Sequence, residues 1–513
     1  MSKFARIYRR PAVKSVVNTK GVATHRTYEG ARALKRDYKS ELFLLAITNM
    51  VAEDTFYEMG NKRDDRFVKL IRKATRKDPD WVRRFVPWLR NEANMRSASI
   101  VMAAEYVAAG GERGRAVVNS AIARADEPAE MLAYWTGVHG RRIPQPLKRG
   151  VADAVSRLYT EYTAMKYDGL SRAWRMGDVI ELVHPKPRDQ AQSDLFRYLL
   201  DRRHHPGEMT VSEALTKVTR RHELESLTPA HRREALRGDT AVLDESGATW
   251  EWMAGWVPNG MDAEAWEAVI PSMGYMALLR NLRNFDEADI SVEMARYVED
   301  RLTDADGVAR SRQFPFRFYS AYKNVPSIRW APTLETALDL SVRNVPRFAG
   351  RTLILTDTSG SMMMPVSRRS SIQHFEIAAV FAASAAKTAD SVDLISFASA
   401  SEKIRFRKNE SVLRTVQRVG DRIGKVGHGT LLGEAIRRNY NGHDRVIVFS
   451  DMQTADQVPS LGDAKVYVFN TGGYRATPVK VGSHGRYELG GFSDATFRLM
   501  KVLENYQDAD WPF

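Results

Sequence analysis

Asp357, Ser359 and Ser361 lie within five residues, in the run Thr356-Asp357-Thr358-Ser359-Gly360-Ser361-Met362. One carboxylate and two hydroxyls are hard oxygen donors, which suit Mg²⁺ and offer nothing to a soft metal. Gly360 lets the loop turn back on itself. The apolar stretch before it, 351–356, reads as a buried strand, and a helix pattern follows over 373–388. The positive end of that helix favours oxygen-rich ligands. Thr430, in Gly427-His428-Gly429-Thr430-Leu431, and Asp451, after Val446-Ile447-Val448-Phe449-Ser450, supply two more oxygens at comparable loop positions. The competing reading is an ordinary Asp-x-Ser-x-Ser turn. A nucleophilic serine fits less well: the run is not Gly-x-Ser-x-Gly, and His428 reads as a loop residue flanked by glycines. No Walker-type phosphate loop is present. No catalysis is expected.

A second group is basic and aromatic. Between Lys166 and Pro187 the chain carries Lys166, Tyr167, Arg172, Trp174, Arg175, His184 and Lys186. Arginine and lysine meet phosphates, and aromatic rings stack on unpaired bases. The plainer reading is a helix over 171–183 with Trp174, Val179 and Leu182 in the core. Basic runs at 69–84 and 141–149 read first as solvated faces. The histidines His204, His205, His222 and His25 lack acidic or cysteine partners at zinc-ligand spacing.

The elements that must hold these groups divide the chain in two. Helical periodicity covers 40–52, 67–74, 81–89, 98–108, 116–125, 131–138 and 151–162, then 250–256, 275–282, 292–302 and 334–342. Turn signals such as Asp78-Pro79, Gly110-Gly111 and Ile143-Pro144 separate them. Short amphipathic helices in series suggest stacked helix pairs without a clean fixed period. After Pro346 strands alternate with helices: strands at 351–356, 392–397, near 404–406, at 445–449 and 465–469, and helices at 373–388, 412–419, 431–439 and 495–505. This is the pattern of a doubly wound, mostly parallel sheet, which binds ligands beyond the carboxyl ends of its strands. The expected architecture is an all-α repeat module over 1–345 followed by an α/β domain over 346–513.

Composition agrees. Among 513 residues, Lys and Arg number 77 against 63 Asp and Glu, a net charge of +14. Only 21 of those basic and 17 of those acidic residues lie from Arg351 onward, so most of the excess is in the helical part. That favours a polyanion partner, nucleic acid first. Cysteine is absent, which removes disulfides and thiolate metal sites and fits a reducing cytoplasm. The basic opening Met1–Arg10 has no apolar run behind it, so neither a secretory signal nor a membrane span is expected.

The helical part resembles the TROVE module of the Ro RNA-binding proteins, on Asn94-Met95-Arg96-Ser97, the Lys166–Pro187 block and Leu278-Leu279-Arg280-Asn281-Leu282. The last third resembles a von Willebrand A domain, whose metal-ion-dependent adhesion site matches Asp357, Ser359, Ser361, Thr430 and Asp451. The order of the two is that of the Ro family. The resemblance implies a ring of HEAT-like repeats whose ends the A domain joins. It implies that the serines and threonine ligate Mg²⁺ directly, that the aspartates act partly through water, and that a ligand carboxylate completes the shell. It further implies a small Y-like noncoding RNA on the basic outer surface and single-stranded 3′ ends of misfolded RNA in the central hole. Lys166, His184 and Arg172 match family RNA positions, and Arg96 is motif-matched; Arg175 and Lys186 are added from their chemistry. An RNA-processing enzyme and an acidic protein at the metal site are further partners, on a monomer. The alternative is a Mg²⁺-dependent protein-binding scaffold without specific RNA binding.

Overall fold

The computed structural model describes residues 16–48, 53–170, 172–207, 209–238, 241–311, 313, 315–325, 327–342, 345–368, 370–482 and 485–491, with 497, 500, 503–504 and 511–513 near the end. Through Ser341 the described chain is mainly short helices, each burying one stripe on its neighbours. The expected segments are there: 250–256 is matched by Trp250–Trp256, and 275–282 extends to Tyr275–Glu287. The single helix expected over 151–162 is two, Gln145–Leu158 and Glu161–Tyr167. Tyr159 is extended, and Thr160 and Thr163 form a reciprocal cap that starts the second helix.

Nine strands occur among the described residues: β1 Thr19–Arg26, β2 Arg32–Arg36, β3 Phe348–Asp357, β4 Ala389–Phe397, β5 Ser401–Lys403, β6 Arg445–Ser450, β7 Lys465–Asn470, β8 Ala476–Thr477 and β9 Arg486–Gly490. Six form one sheet in the order β5-β4-β3-β6-β7-β9, parallel except for β5. The helix His374–Thr388 packs its apolar length against β3 and β6. This is the doubly wound sheet expected after Pro346. The partner strand expected near 404–406 lies at β5, just ahead, and Ile404 still donates to Leu394 O at 2.8 Å. The helix expected over 495–505 falls mostly outside the described residues.

The helical reading of the first 345 residues misses β1 and β2. They form an antiparallel hairpin that pairs with β8, so the start of the chain is built into the α/β domain. Strand β1 is exposed along most of its length and so shows no alternating apolar pattern. The hairpin is locked by a buried ion pair. Arg36 Nε and Nη2 donate to Glu488 of β9 at 2.7 and 2.5 Å, and Nη1 donates to Tyr474 O at 2.6 Å, with neither side chain reaching solvent.

Further contacts tie the α/β domain to both ends of the helical module. At the first helices, Arg66 donates to Gly473 O at 3.2 Å, and Trp511 and Phe513 pack among Phe43, Trp81, Phe85 and Trp88. At the last, Lys323 meets Glu376 and Lys387 meets Asp339, each at 2.7 Å. The α/β domain thus bridges the beginning and the end of the helical run. Arg36→Met leaves Glu488 charged, buried and unpaired, and is expected to cost about 3–5 kcal/mol in urea unfolding. Arg36→Met/Glu488→Leu should recover most of that loss. A double variant no more stable than the single would show that the pair's charges are not what holds the hairpin.

Candidate RNA interface and metal loop

The metal loop leaves β3 at Asp357 and turns through the short 3-10 segment Gly360–Met363. Asp357 and Ser359 have no solvent exposure, and Ser361, Thr430 and Asp451 are buried. Backbone bonds shape the loop: Ser359 N donates to Asp357 Oδ1 at 2.9 Å, and Gly360 N donates to His428 O at 2.8 Å. The second bond clamps the 427–431 loop beside the first. The Ser359 and Ser361 hydroxyls are 3.3 Å apart, and Ser450 donates to Asp357 Oδ2 at 2.5 Å. All five sequence-predicted residues therefore lie in buried positions at the carboxyl ends of β3 and β6 and in the intervening loop.

Two buried carboxylates so placed repel each other. Burial, then the Asp357 charge, push Asp451 up to about 7, and burial raises Asp357 as well. A divalent cation held by these oxygens would relieve that repulsion, so the donor set fits a hard ion. Among the described residues no three His, Cys, Asp or Glu side chains cluster around a metal position, so the hydroxyls are indispensable to this one. His428 is exposed and meets the loop through its backbone, not as a base. His204 pairs with Glu181 at 3.2 Å, outside any metal cluster.

Residues far away in sequence cover the loop. Tyr57 hydrogen-bonds Ser361 and donates to Glu29, in the turn between β1 and β2. Tyr28 stacks on Tyr57 with centroids 5.1 Å apart, and Tyr474 closes the cluster edge-on. Tyr28 N also donates to Gln453 Oε1 at 2.9 Å. Sequence reading missed Glu29 and Tyr57, because nothing local to either indicates a partner some 300 residues on.

The 166–187 segment is built differently from its expected helix. The helix is Met176–Val183; Trp174 precedes it and is half-buried. Gly177 is required by packing, since a Cβ there would lie 2.7 Å from Leu199 O. Lys166, Arg172, His184 and Lys186 are exposed. The Lys166 ammonium lies 5.5 and 5.6 Å from the Tyr167 and Tyr162 rings. Arg175 is buried, its guanidinium bound to Asp168 and to Arg202 O, which corrects its reading as a phosphate contact. Asp168 also accepts from Met176 N at 2.8 Å, so Arg175 anchors the loop to the helix start. Arg96 is half-buried against Asp126, Glu127 and Glu130 and braces two helices.

His184 ends its helix in the left-handed region, at φ 47° and ψ 64°. Glycine is the favoured residue there. His184→Gly is therefore expected to keep or raise the thermal midpoint, while His184→Val lowers stability by about 1–2 kcal/mol. Equal midpoints for the two would show that the backbone is not strained.

Residues 243–329 match the TROVE domain family. The chain is 29% identical to telomerase protein component 1 of Mus musculus over 174 residues, which are 33% of this chain and 6% of that protein. It is 39% identical to the Rattus norvegicus protein of that name over 69 residues, 13% of this chain and 3% of that one. The chain thus matches only a small fraction of these relatives' length. The crystal structure of the Ro (RSR) protein of Deinococcus radiodurans superposes with a TM-score of 0.58 at 20% identity, covering 84% of this chain and 92% of that one. Residues 243–329 thus carry a match to the TROVE domain family, within a chain that has the overall fold of a solved Ro protein.

Proposed function

We propose that this chain is a non-catalytic RNA-binding protein. On this reading it holds a small Y-like RNA on the basic outer face of the helical module and takes single-stranded 3′ ends of structured or misfolded RNA in a central opening. It would act in the cytoplasm as a monomer, in RNA quality control or in recruiting a processing enzyme. The supporting observation is how charge is divided in the 166–187 segment. Two of its acidic groups are occupied, Asp168 with Arg175 and Arg202 and Asp178 with Arg203, while Glu181 is exposed beside His204. Lys166, Arg172, His184 and Lys186 remain turned to solvent. A segment with most of its acids paired and four cations exposed suits phosphate, and the tyrosines beside Lys166 suit stacked bases.

Lys166→Ala/His184→Ala is expected to weaken binding of a single-stranded 3′ extension about 5- to 20-fold by fluorescence anisotropy, with an unchanged circular dichroism spectrum. The dependence of log affinity on log salt should flatten by about 0.7 for each single-strand phosphate that the variant no longer neutralises. Unchanged affinity and slope would remove these residues from the interface.

In the same reading Asp357, Ser359, Ser361, Thr430 and Asp451 hold Mg²⁺, which would supply a Lewis-acidic point for a carboxylate. Saturating Mg²⁺ should raise unfolding stability by about 1–3 kcal/mol in the wild type and not in Asp357→Ala. An equal rise in both would place the ion elsewhere. The second reading, a protein-binding scaffold using that ion, is favoured by the aptness of the donor set for a carboxylate ligand. It expects EDTA-sensitive protein partners and a purified protein free of RNA. The absorbance ratio at 260 and 280 nm, before and after RNase, separates the two.

A further inference from the structure

The helices Tyr275–Glu287 and Pro315–Asn324 enclose a pocket of about 550 Å³. Its polar lining includes Arg280, Arg283, Arg317 and Asn284, and its apolar side includes Leu279 and Ala321. No carboxylate lines it among the described residues. Several buried guanidiniums in this protein are matched by a carboxylate, Arg36 with Glu488, Arg90 with Glu127 and Arg175 with Asp168, whereas buried Arg221 meets only backbone carbonyls among its hydrogen bonds. Arg283 has an acidic partner on its own helix, Glu287 at 3.4 Å. Among the described residues Arg280 and Arg317 have none within ion-pair distance. Desolvation, and then the Arg280 charge, lower the Arg317 guanidinium, the mark of two cations sharing one cleft.

Arg280 and Arg317 are both exposed, and two like charges facing one concave space attract an anion between them. A guanidinium presents paired N–H donors that fit the oxygens of a phosphate. The volume suits a ligand of nucleotide size, and half-exposed Met276 and Ala321 offer an apolar surface for a ribose or base. We infer that this pocket is a phosphate-binding subsite, in which Arg280 and Arg317 hold one phosphodiester of a single-stranded RNA and its nucleoside lies against Met276 and Ala321. The inference rests on the RNA-binding reading for the source of the phosphate, but on residues other than those of the 166–187 segment. It therefore predicts a second, separable contribution to affinity.

The test uses the full chain, labelled U12 RNA and free UMP. In Arg280→Gln/Arg317→Gln, U12 affinity is expected to fall about tenfold or more. The salt slope should fall by about 0.7, for the one single-strand phosphate that the two arginines hold. A control with the same charge change at exposed sites of the α/β domain, Arg407→Gln/Lys425→Gln, should lose no more than about twofold. If the pocket variant and the control lose affinity equally, or the pocket variant loses none, the subsite is overturned while RNA binding stands. If the wild type binds UMP through these arginines and does not bind U12, the phosphate pocket stands as a mononucleotide site and the RNA-binding reading falls. If it binds neither, both fall.

Discussion

A guanidinium and a carboxylate without solvent contact persist only as a pair, because either one alone in a low-dielectric interior is strongly disfavoured. Arg36 and Glu488 are such a pair, with no exposure on either side. Asn470 adds a bond to Glu488 at 2.8 Å, and Tyr474 O accepts from Arg36. The pair fixes the β1–β2 hairpin to the last strand of the six-stranded sheet. From that fixed point the chain runs into its first helix. The rest of the architecture follows: a helical module that starts on the α/β domain, travels away, and returns to it through Lys323–Glu376 and Lys387–Asp339.

The same closure arranges the metal loop. The turn of the hairpin carries Tyr28 and Glu29 to the carboxyl ends of β3 and β6, where Tyr57 meets both Glu29 and Ser361. The crevice that such sheets leave open is therefore covered by the chain's own hairpin and by the segment entering the helix Gly60–Lys77.

The distribution of ion pairs explains how a chain of modest net charge presents cationic surfaces. Arg90 and Arg96 engage Asp126, Glu127 and Glu130, and Arg175 and Arg202 share Asp168. These groups are structural, and the carboxylates they use are withdrawn from the surface. Lys166, Arg172, His184 and Lys186, exposed in one segment, and Arg280 with Arg317 in a cleft, are left to meet solvent or an anion. Counting charges along the sequence cannot separate the two kinds of arginine, because pairing is set by helices packed about 30 residues apart.

By itself the sequence determined the division into helical module and doubly wound sheet, and the five oxygen-bearing residues that gather at the sheet's carboxyl ends. Both are short-range signals: apolar periodicity reports which face is buried, and Asp-x-Ser-x-Ser at a strand end fixes its own loop geometry. It also singled out the 166–187 block. Tertiary structure decided the remainder. Glu488 breaks the apolar pattern of β9 and is tolerated only because Arg36 reaches it from the other end of the chain. Exposed β1 carries no periodicity and becomes a strand only by pairing. Arg175 and Arg172, alike in the sequence, part ways because Asp168 lies within reach of one and not the other. Arg317 acquires meaning only when its helix packs beside Arg280. Apart from the Arg175–Asp168 pair, seven residues apart, each outcome depends on contact between distant segments, which no local pattern of residues encodes.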